Sequence, residues 1–194
     1  MSHTATKRVL LCAVLAAGLL WDPMGLLRMT LLCALVHESG HVLAYMLCLR
    51  ALPPLSLDWG GITLSGTQRL SREQELFVLV AGPAANFLMT ALLFAQLWQR
   101  ASYRLYFLAA VSLCTGLYNL LPFGVLDGAR ILQNLLPAAR QDALHQAQRL
   151  LLCVFCTGMI GAALSGKLPP GARAAACLGP AYLLAQEFFR RGSV

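Results

Sequence analysis

The sequence predicts an all-α polytopic membrane protein of about six transmembrane helices, with a small β-hairpin or re-entrant segment after the second. Apolar residues make up 58% of the 194-residue chain and charged residues only 12%, whereas a soluble domain has about 25% charged residues. The mean hydropathy is +0.66, and the apolar residues fall into long runs. This composition excludes a disordered chain, a coiled coil and a disulfide-stapled secreted module.

The apolar runs predict six spans. The first follows Lys7 and Arg8 and resembles a signal peptide, but Asp22-Pro23 is not a small-residue cleavage site, so we interpret it as a retained span. The first and fifth spans are marginal, because a crossing needs about 20 residues. The predicted spans cover residues 7–24, 26–49, 76–98, 105–123, 150–165 and 174–189.

The basic residues predict the orientation of these spans. If both termini are cytoplasmic, ten basic residues lie inside and five outside, which agrees with the positive-inside rule. The 15 Lys and Arg residues form no basic stripe with interleaved aromatics, so the net charge of +7 does not indicate nucleic acid binding. The inside set is Lys7, Arg8, Arg50, Arg69, Arg72, Arg130, Arg140, Arg149, Arg190 and Arg191; the outside set is Arg28, Arg100, Arg104, Lys167 and Arg173.

Two of the segments predicted to lie on the cytoplasmic side have sequence patterns that predict local structure. In Leu55–Gly66, apolar and polar residues alternate in two runs around Gly60-Gly61, which favours a β-hairpin; a plain surface loop is the alternative. Pro53-Pro54 ends the helix before it. The second segment, Pro137–Leu150, is typical of a polar amphipathic helix at the membrane surface.

His37, Glu38 and His41 form the motif HExxH within the second span. Residues four apart on a helix share a face, so both imidazoles can reach one metal ion, while Glu38 can reach a water molecule beside it. A carboxylate at the centre of a bilayer costs about 3 kcal/mol, and no structural need calls for one here. The alternative is a pair of core histidines without a metal.

A catalytic zinc usually has three protein ligands and an open position, so a third ligand is needed. Asp127 is the candidate, because Pro122 and Gly124 should break the helix ahead of it and leave irregular backbone near membrane depth. Such backbone is tolerated only where it is buried in protein or lines a wet cavity. The alternative is that Asp127 is an ordinary N-cap of a helix that starts at Ala129.

The segment from Asn119 to Gly128 reads NLLPFGVLDG and has the form NxxPxxxLDG. HExxH in one span, followed by this segment at the end of a later one, resembles the signature of the site-2 protease (M50) family of intramembrane zinc metalloproteases. The run from Gly82 to Asn86, GPAAN, is similar to the family's GPxxN element. The resemblance covers about residues 7–190 and is strongest to the compact bacterial branch typified by stage IV sporulation protein FB.

The resemblance implies that Zn²⁺ is held by His37, His41 and Asp127. Glu38 would be the catalytic general base, which activates the attacking water and passes its proton to the leaving amine.

The resemblance also implies that Asn119 and Pro122 bind the substrate, or that Asn119 helps to place the oxyanion. A helix–helix hydrogen bond is an alternative for Asn119. Asn86 is predicted to be structural. A substrate span must unwind locally, and the 55–66 hairpin is a candidate strand partner for the extended segment.

The implied function is hydrolysis of peptide bonds in membrane-anchored proteins of a bacterial cell membrane, with release of a transcription factor such as a pro-sigma factor. The implied partners are the lipid bilayer, the membrane-anchored substrate and membrane regulatory or inhibitor proteins. We expect residues 1–194 to form a single domain with no PDZ or CBS domain. The alternatives are a catalytically silent zinc-binding membrane scaffold of the same fold and a divalent-metal transporter.

Overall fold

The structure is a computed structural model, and it describes residues 17–22, 25–53, 55–58, 61–64, 70–122, 126–166, 177, 180–181 and 184. The elements bounded within these residues follow one another along the chain. They are α1 (Leu26–Leu49), β1 (Leu55–Asp58), β2 (Gly61–Leu64), α2 (Arg72–Gln99), α3 (Tyr103–Asn119), α4 (Asp127–Leu135), a 3₁₀ turn (Ala138–Arg140) and α5 (Gln141–Leu164).

Helix α1 has a capped start and a defined end. The backbone amides of Leu26 and Arg28 donate to the two carboxylate oxygens of Asp22, at 2.9 and 3.1 Å, which satisfies donors that a helix start leaves without partners. The helix ends at Leu49, and Arg50 adopts a left-handed φ of 52°, a common way to stop a helix. The bounds of α1 coincide with the predicted span 26–49.

The segment after α1 forms two short antiparallel strands. Leu55 pairs with Leu64, and Asp58 pairs with Gly61. Gly61 is therefore part of β2 and does not belong to the connection between the strands.

Helix α2 starts earlier than the predicted span 76–98 because of its capping. The Ser71 amide donates to Gln74 Oε1 at 2.9 Å, and the Gln74 amide donates to Ser71 Oγ at 3.3 Å. This reciprocal pair is a capping box, and it sets the helix start at Arg72. Pro83 lies inside the 28-residue helix.

Helix α5 corrects one prediction. The sequence analysis separates a polar surface helix over Pro137–Leu150 from a span over 150–165, but α5 runs without a break from Gln141 to Leu164. The physical reason is that no proline or glycine interrupts the chain between Gln141 and Thr157, so the polar first turns continue into the apolar ones.

Three helical segments of the described chain are long and apolar enough to cross a membrane: Leu26–Leu49, Arg72–Gln99 and Ala138–Leu164. Helix α3, which overlaps the predicted span 105–123 but begins two residues before it, has only 17 residues. The predicted spans 7–24 and 174–189 lie largely outside the described residues. The number of six spans therefore stays a prediction.

Large apolar side chains are exposed along these segments. Leu47 of α1 is 67% exposed, Leu92 of α2 63% and Val154 of α5 70%. A soluble monomer rarely exposes apolar surface on this scale. The protein is therefore suited to a lipid environment, and it associates with a membrane.

The chain divides into two compact units, Met1–Gly40 with Gly82–Gly116, and His41–Ala81 with Leu117–Val194. The divisions fall within α1, α2 and α3. In the first unit, four of the described residues have no exposed surface: Cys33, Asn86, Ala109 and Ser112. The second unit has two apolar clusters, one built on Ala44, Tyr45 and Val78 and the other on Leu126, Leu152 and Cys156.

Two helical glycines give a matched test of the packing. A Cβ on Gly116 would lie 2.9 Å from Phe87 Cε1, whereas a Cβ on Gly158 would have no atom within 4 Å. Alanine favours a helix over glycine by about 1 kcal/mol, but overpacking costs about 1–3 kcal/mol. We expect Gly116→Ala to lower the thermal unfolding midpoint in detergent and Gly158→Ala to hold or raise it. Equal midpoints for the two variants would contradict the described packing of Phe87.

Candidate metal centre

The two histidines of HExxH lie one turn apart on the unbroken helix α1. His37 is 5% exposed and His41 is 4% exposed, so neither ring can rely on water for its hydrogen bonds. Their spacing of four residues places them on one face of the helix. Ser39, between them, donates its hydroxyl to the Leu35 carbonyl at 2.6 Å, which satisfies that polar group within the helix itself.

Asp127 is the first residue of α4, and Leu126 occupies the N-cap position. The alternative interpretation, in which Asp127 caps a helix that starts at Ala129, is therefore wrong. Asp127 is only 8% exposed. The positive end of the α4 dipole helps to stabilise the buried carboxylate.

Two hydrogen-bonding contacts define the state of the His41 ring. Nδ1 lies 2.7 Å from the Val78 carbonyl oxygen, which can only accept, so Nδ1 carries a proton and donates. Nε2 of a neutral ring is then an acceptor, and it lies 3.2 Å from Asp127 Oδ2, which also accepts. Two acceptors at this distance are favourable only with a proton or a metal ion between them.

The spacing and chemistry of the donor atoms suit a zinc ion. Ligand atoms of His37, His41 and Asp127 all lie within 4.8 Å of one another. Two ligands at about 2.0–2.1 Å from a tetrahedral ion are about 3.3 Å apart, close to the 3.2 Å between His41 Nε2 and Asp127 Oδ2. Two histidines and one carboxylate form a donor set of catalytic zinc sites and leave one position open.

The other residues predicted to act in the site are placed as follows. Glu38 is half-buried on α1, roughly 100° around the helix axis from His37. Asn119 is the last residue of α3 and is half-buried. Pro122 is half-buried in the bend that follows α3. Gly124, the second predicted helix breaker, lies outside the described residues.

Two supporting groups were not predicted to serve the site. The Val78 carbonyl holds His41, and a backbone atom of an apolar residue gives no signal in a sequence. Asn86 Nδ2 lies 3.4 Å from His37 Nδ1, although Asn86 was predicted to be merely structural. The feature of the sequence that could have indicated this role is a polar amide side chain within an otherwise apolar span.

Gly128 allows the start of α4 to approach the end of α3 closely. A Cβ on Gly128 would lie 2.0 Å from the Leu120 carbonyl oxygen and 2.8 Å from that of Leu121. These are backbone atoms, so no side-chain rotation can relieve the clash. Glycine is therefore required directly after Asp127.

Comparisons with known proteins agree with this geometry. A solved structure, the site-2 protease from Methanocaldococcus jannaschii, matches with a TM-score of 0.63 and 17% sequence identity, over 92% of this chain and 84% of that one. The fold is that of a site-2 protease. Residues 96–161 match Peptidase family M50, a segment that includes Asn119, Pro122 and Asp127. No curated protein matches the chain. The narrower resemblance to stage IV sporulation protein FB stays a prediction.

Substitution of Gly128 tests whether the close approach positions Asp127. We expect Gly128→Ala to displace Asp127 and to weaken zinc binding by at least about 10-fold, the lower end of the effect of disturbing the support of a metal ligand. The measurement is a competition titration of the purified protein with a chelator. Gly161→Ala is the control, because a Cβ there meets no atom within 4 Å. Equal zinc affinity in the two variants would refute the positioning.

Proposed function

We propose that the protein is an intramembrane zinc metalloprotease of the site-2 protease (M50) family, which hydrolyses peptide bonds of membrane-anchored proteins. The observation that carries the proposal is the contact of His41 Nε2 with Asp127 Oδ2 at 3.2 Å, with the ring oriented so that both atoms are acceptors. His37 lies in the same buried group. The site-2 protease fold and the match of residues 96–161 support the same function.

In this proposal His37, His41 and Asp127 hold the zinc ion. Bound zinc supplies Lewis acidity, which polarises the scissile carbonyl and makes water a stronger acid. The chain contributes orientation: the Val78 carbonyl keeps the His41 tautomer in which Nε2 presents its lone pair. Such support of a ligand by its other ring nitrogen is common in metal sites.

Glu38 is proposed as the general base. Its carboxylate accepts a proton as water attacks the scissile carbonyl, and it passes that proton to the amine nitrogen as the C–N bond breaks. One side chain therefore carries the proton from the attacking water to the leaving amine. The two carboxylates of Glu38 and Asp127 also match the two positive charges of a zinc ion, so the loaded site is neutral within the apolar layer.

Substrate binding is proposed for two regions. Asn119 and Pro122 lie just ahead of α4 and are proposed to contact the extended substrate segment. Within the described residues, β1 and β2 form a two-stranded sheet, whose edges are proposed to offer backbone groups to which that segment can add as a further strand. Release of a transcription factor such as a pro-sigma factor, in a bacterial cell membrane crossed six times with both termini cytoplasmic, stays the prediction of the resemblance.

A pair of substitutions tests the proposed chemistry. We expect Glu38→Gln to bind one zinc ion per chain yet to cleave a co-expressed membrane-anchored substrate about 10²–10⁴-fold more slowly, because the base is lost and the ligands remain. Asp127→Ala should lose both zinc and cleavage. The measurements are metal content after purification and the cleaved fraction on immunoblots.

The same pair separates the protease from a catalytically silent scaffold. A scaffold keeps its function in the Glu38→Gln variant, whereas a protease does not. Cleavage by Glu38→Gln at the wild-type rate would refute the proposed role of Glu38, and a wild-type protein that binds no metal would refute the metalloprotease itself.

A further inference from the structure

We infer that Asn86 is a positioning residue for His37: its side-chain amide oxygen accepts the Nδ1 proton of the ring, so that Nε2 presents its lone pair to the metal. This inference rests on the proposed zinc site. It assigns to His37, one of the proposed zinc ligands, a hydrogen-bond partner that was not predicted from the sequence.

Asn86 is buried completely, with 0% of its surface exposed. Its backbone carbonyl already accepts two hydroxyl groups, from Thr90 Oγ1 at 2.8 Å and Ser112 Oγ at 3.0 Å. These bonds fix the backbone at this position. The side-chain amide is thus held where water cannot hydrogen-bond to it. A buried amide without a hydrogen-bond partner lowers the free energy of unfolding by about 1–3 kcal/mol.

The side-chain amide of Asn86 lies beside the His37 ring. Asn86 Nδ2 lies 3.4 Å from His37 Nδ1, and Asn86 Oδ1 is buried with no hydrogen-bond partner among the described residues. The nitrogen and oxygen ends of an amide have nearly the same shape, and the hydrogen-bond network decides between them.

The two orientations of the amide have opposite consequences for the ring. If the nitrogen faces His37, it donates to Nδ1, and the proton of the neutral ring is on Nε2, which then cannot bind a metal. If the amide is rotated by 180°, Oδ1 accepts the proton of Nδ1, and Nε2 has a lone pair to offer. The NH₂ group then occupies the position without a partner that Oδ1 held before. The rotation therefore adds no hydrogen bond, and what it changes is the tautomer of the His37 ring.

His41 shows the same arrangement. Its Nδ1 donates to a carbonyl oxygen of α2, that of Val78 at 2.7 Å. For His37 the carbonyl of the side chain replaces that of the backbone, because the backbone carbonyl of Asn86 is already occupied.

The test uses the full chain in detergent, with Zn²⁺ and Co²⁺ as probes. We expect Asn86→Leu, which has no acceptor, to weaken zinc binding about 10–100-fold and to alter the absorption bands of bound Co²⁺. Asn86→Asp keeps an oxygen acceptor and should stay nearer to the wild type than Asn86→Leu. Ser112→Ala is the matched control, since it removes a hydrogen bond to the same residue's backbone and leaves its amide.

Three results would overturn the inference. The first is that Asn86→Leu binds zinc as tightly as the wild type. The second is that Ser112→Ala weakens zinc binding as much as Asn86→Leu does. The third is that Asn86→Asp loses as much zinc affinity as Asn86→Leu. Unchanged zinc binding by Asn86→Leu beside a zinc-loaded wild type contradicts this inference alone. A wild type that binds no zinc contradicts the proposed function instead.

A measurement on the unsubstituted protein covers the case in which Asn86→Leu does not fold. Nitrogen-15 NMR of labelled histidine in the metal-free wild type reports which ring nitrogen carries the proton, and comparison with His37→Gln assigns the signal. We expect His37 in the Nδ1–H tautomer. The Nε2–H tautomer would refute the inference.

Discussion

The approach of His41 Nε2 to Asp127 Oδ2 is the constraint on which the rest of the site depends. Its meaning comes from the opposite side of the ring, where the Val78 carbonyl leaves Nδ1 no role except that of donor. A buried carboxylate beside a ring lone pair is unfavourable without a cation. The helices that surround the site are apolar, so the compensating positive charge has to lie within the site itself, and a bound metal ion would supply it at the right spacing.

Much of this arrangement is predictable from the sequence, for identifiable reasons. The bounds of α1 follow from a mainly apolar run without proline between Asp22, which caps it, and the Pro53-Pro54 pair beyond its end. Asp127 is a candidate ligand because it is an acid after a broken span near membrane depth, and the NxxPxxxLDG pattern favours that role over an ordinary N-cap. These inferences use side-chain type and spacing, and both can be read from a sequence.

The parts that the sequence could not predict depend on the backbone or on distant contacts. The Val78 carbonyl and the close approach of Gly128 to Leu120 involve main-chain atoms, which carry no residue code. The continuity of α5 was missed because its polar first turns have the composition of a surface helix while their backbone is that of the following span. A sequence identity of 17% with a TM-score of 0.63 shows the converse, since a fold of this kind persists while most side chains change.

The length of α3 has a consequence for the lipid around it. Its 17 residues extend about 25 Å, less than the roughly 30 Å of a hydrocarbon core. If α3 crosses the membrane, as the sequence predicts, either the bilayer thins beside it or its end at Asn119 stays below the headgroups. Thinning of the bilayer shortens the path from bulk solvent to the start of α4. A hydrophobic mismatch at one short helix would thus hydrate a reaction centre that the surrounding lipid otherwise keeps dry.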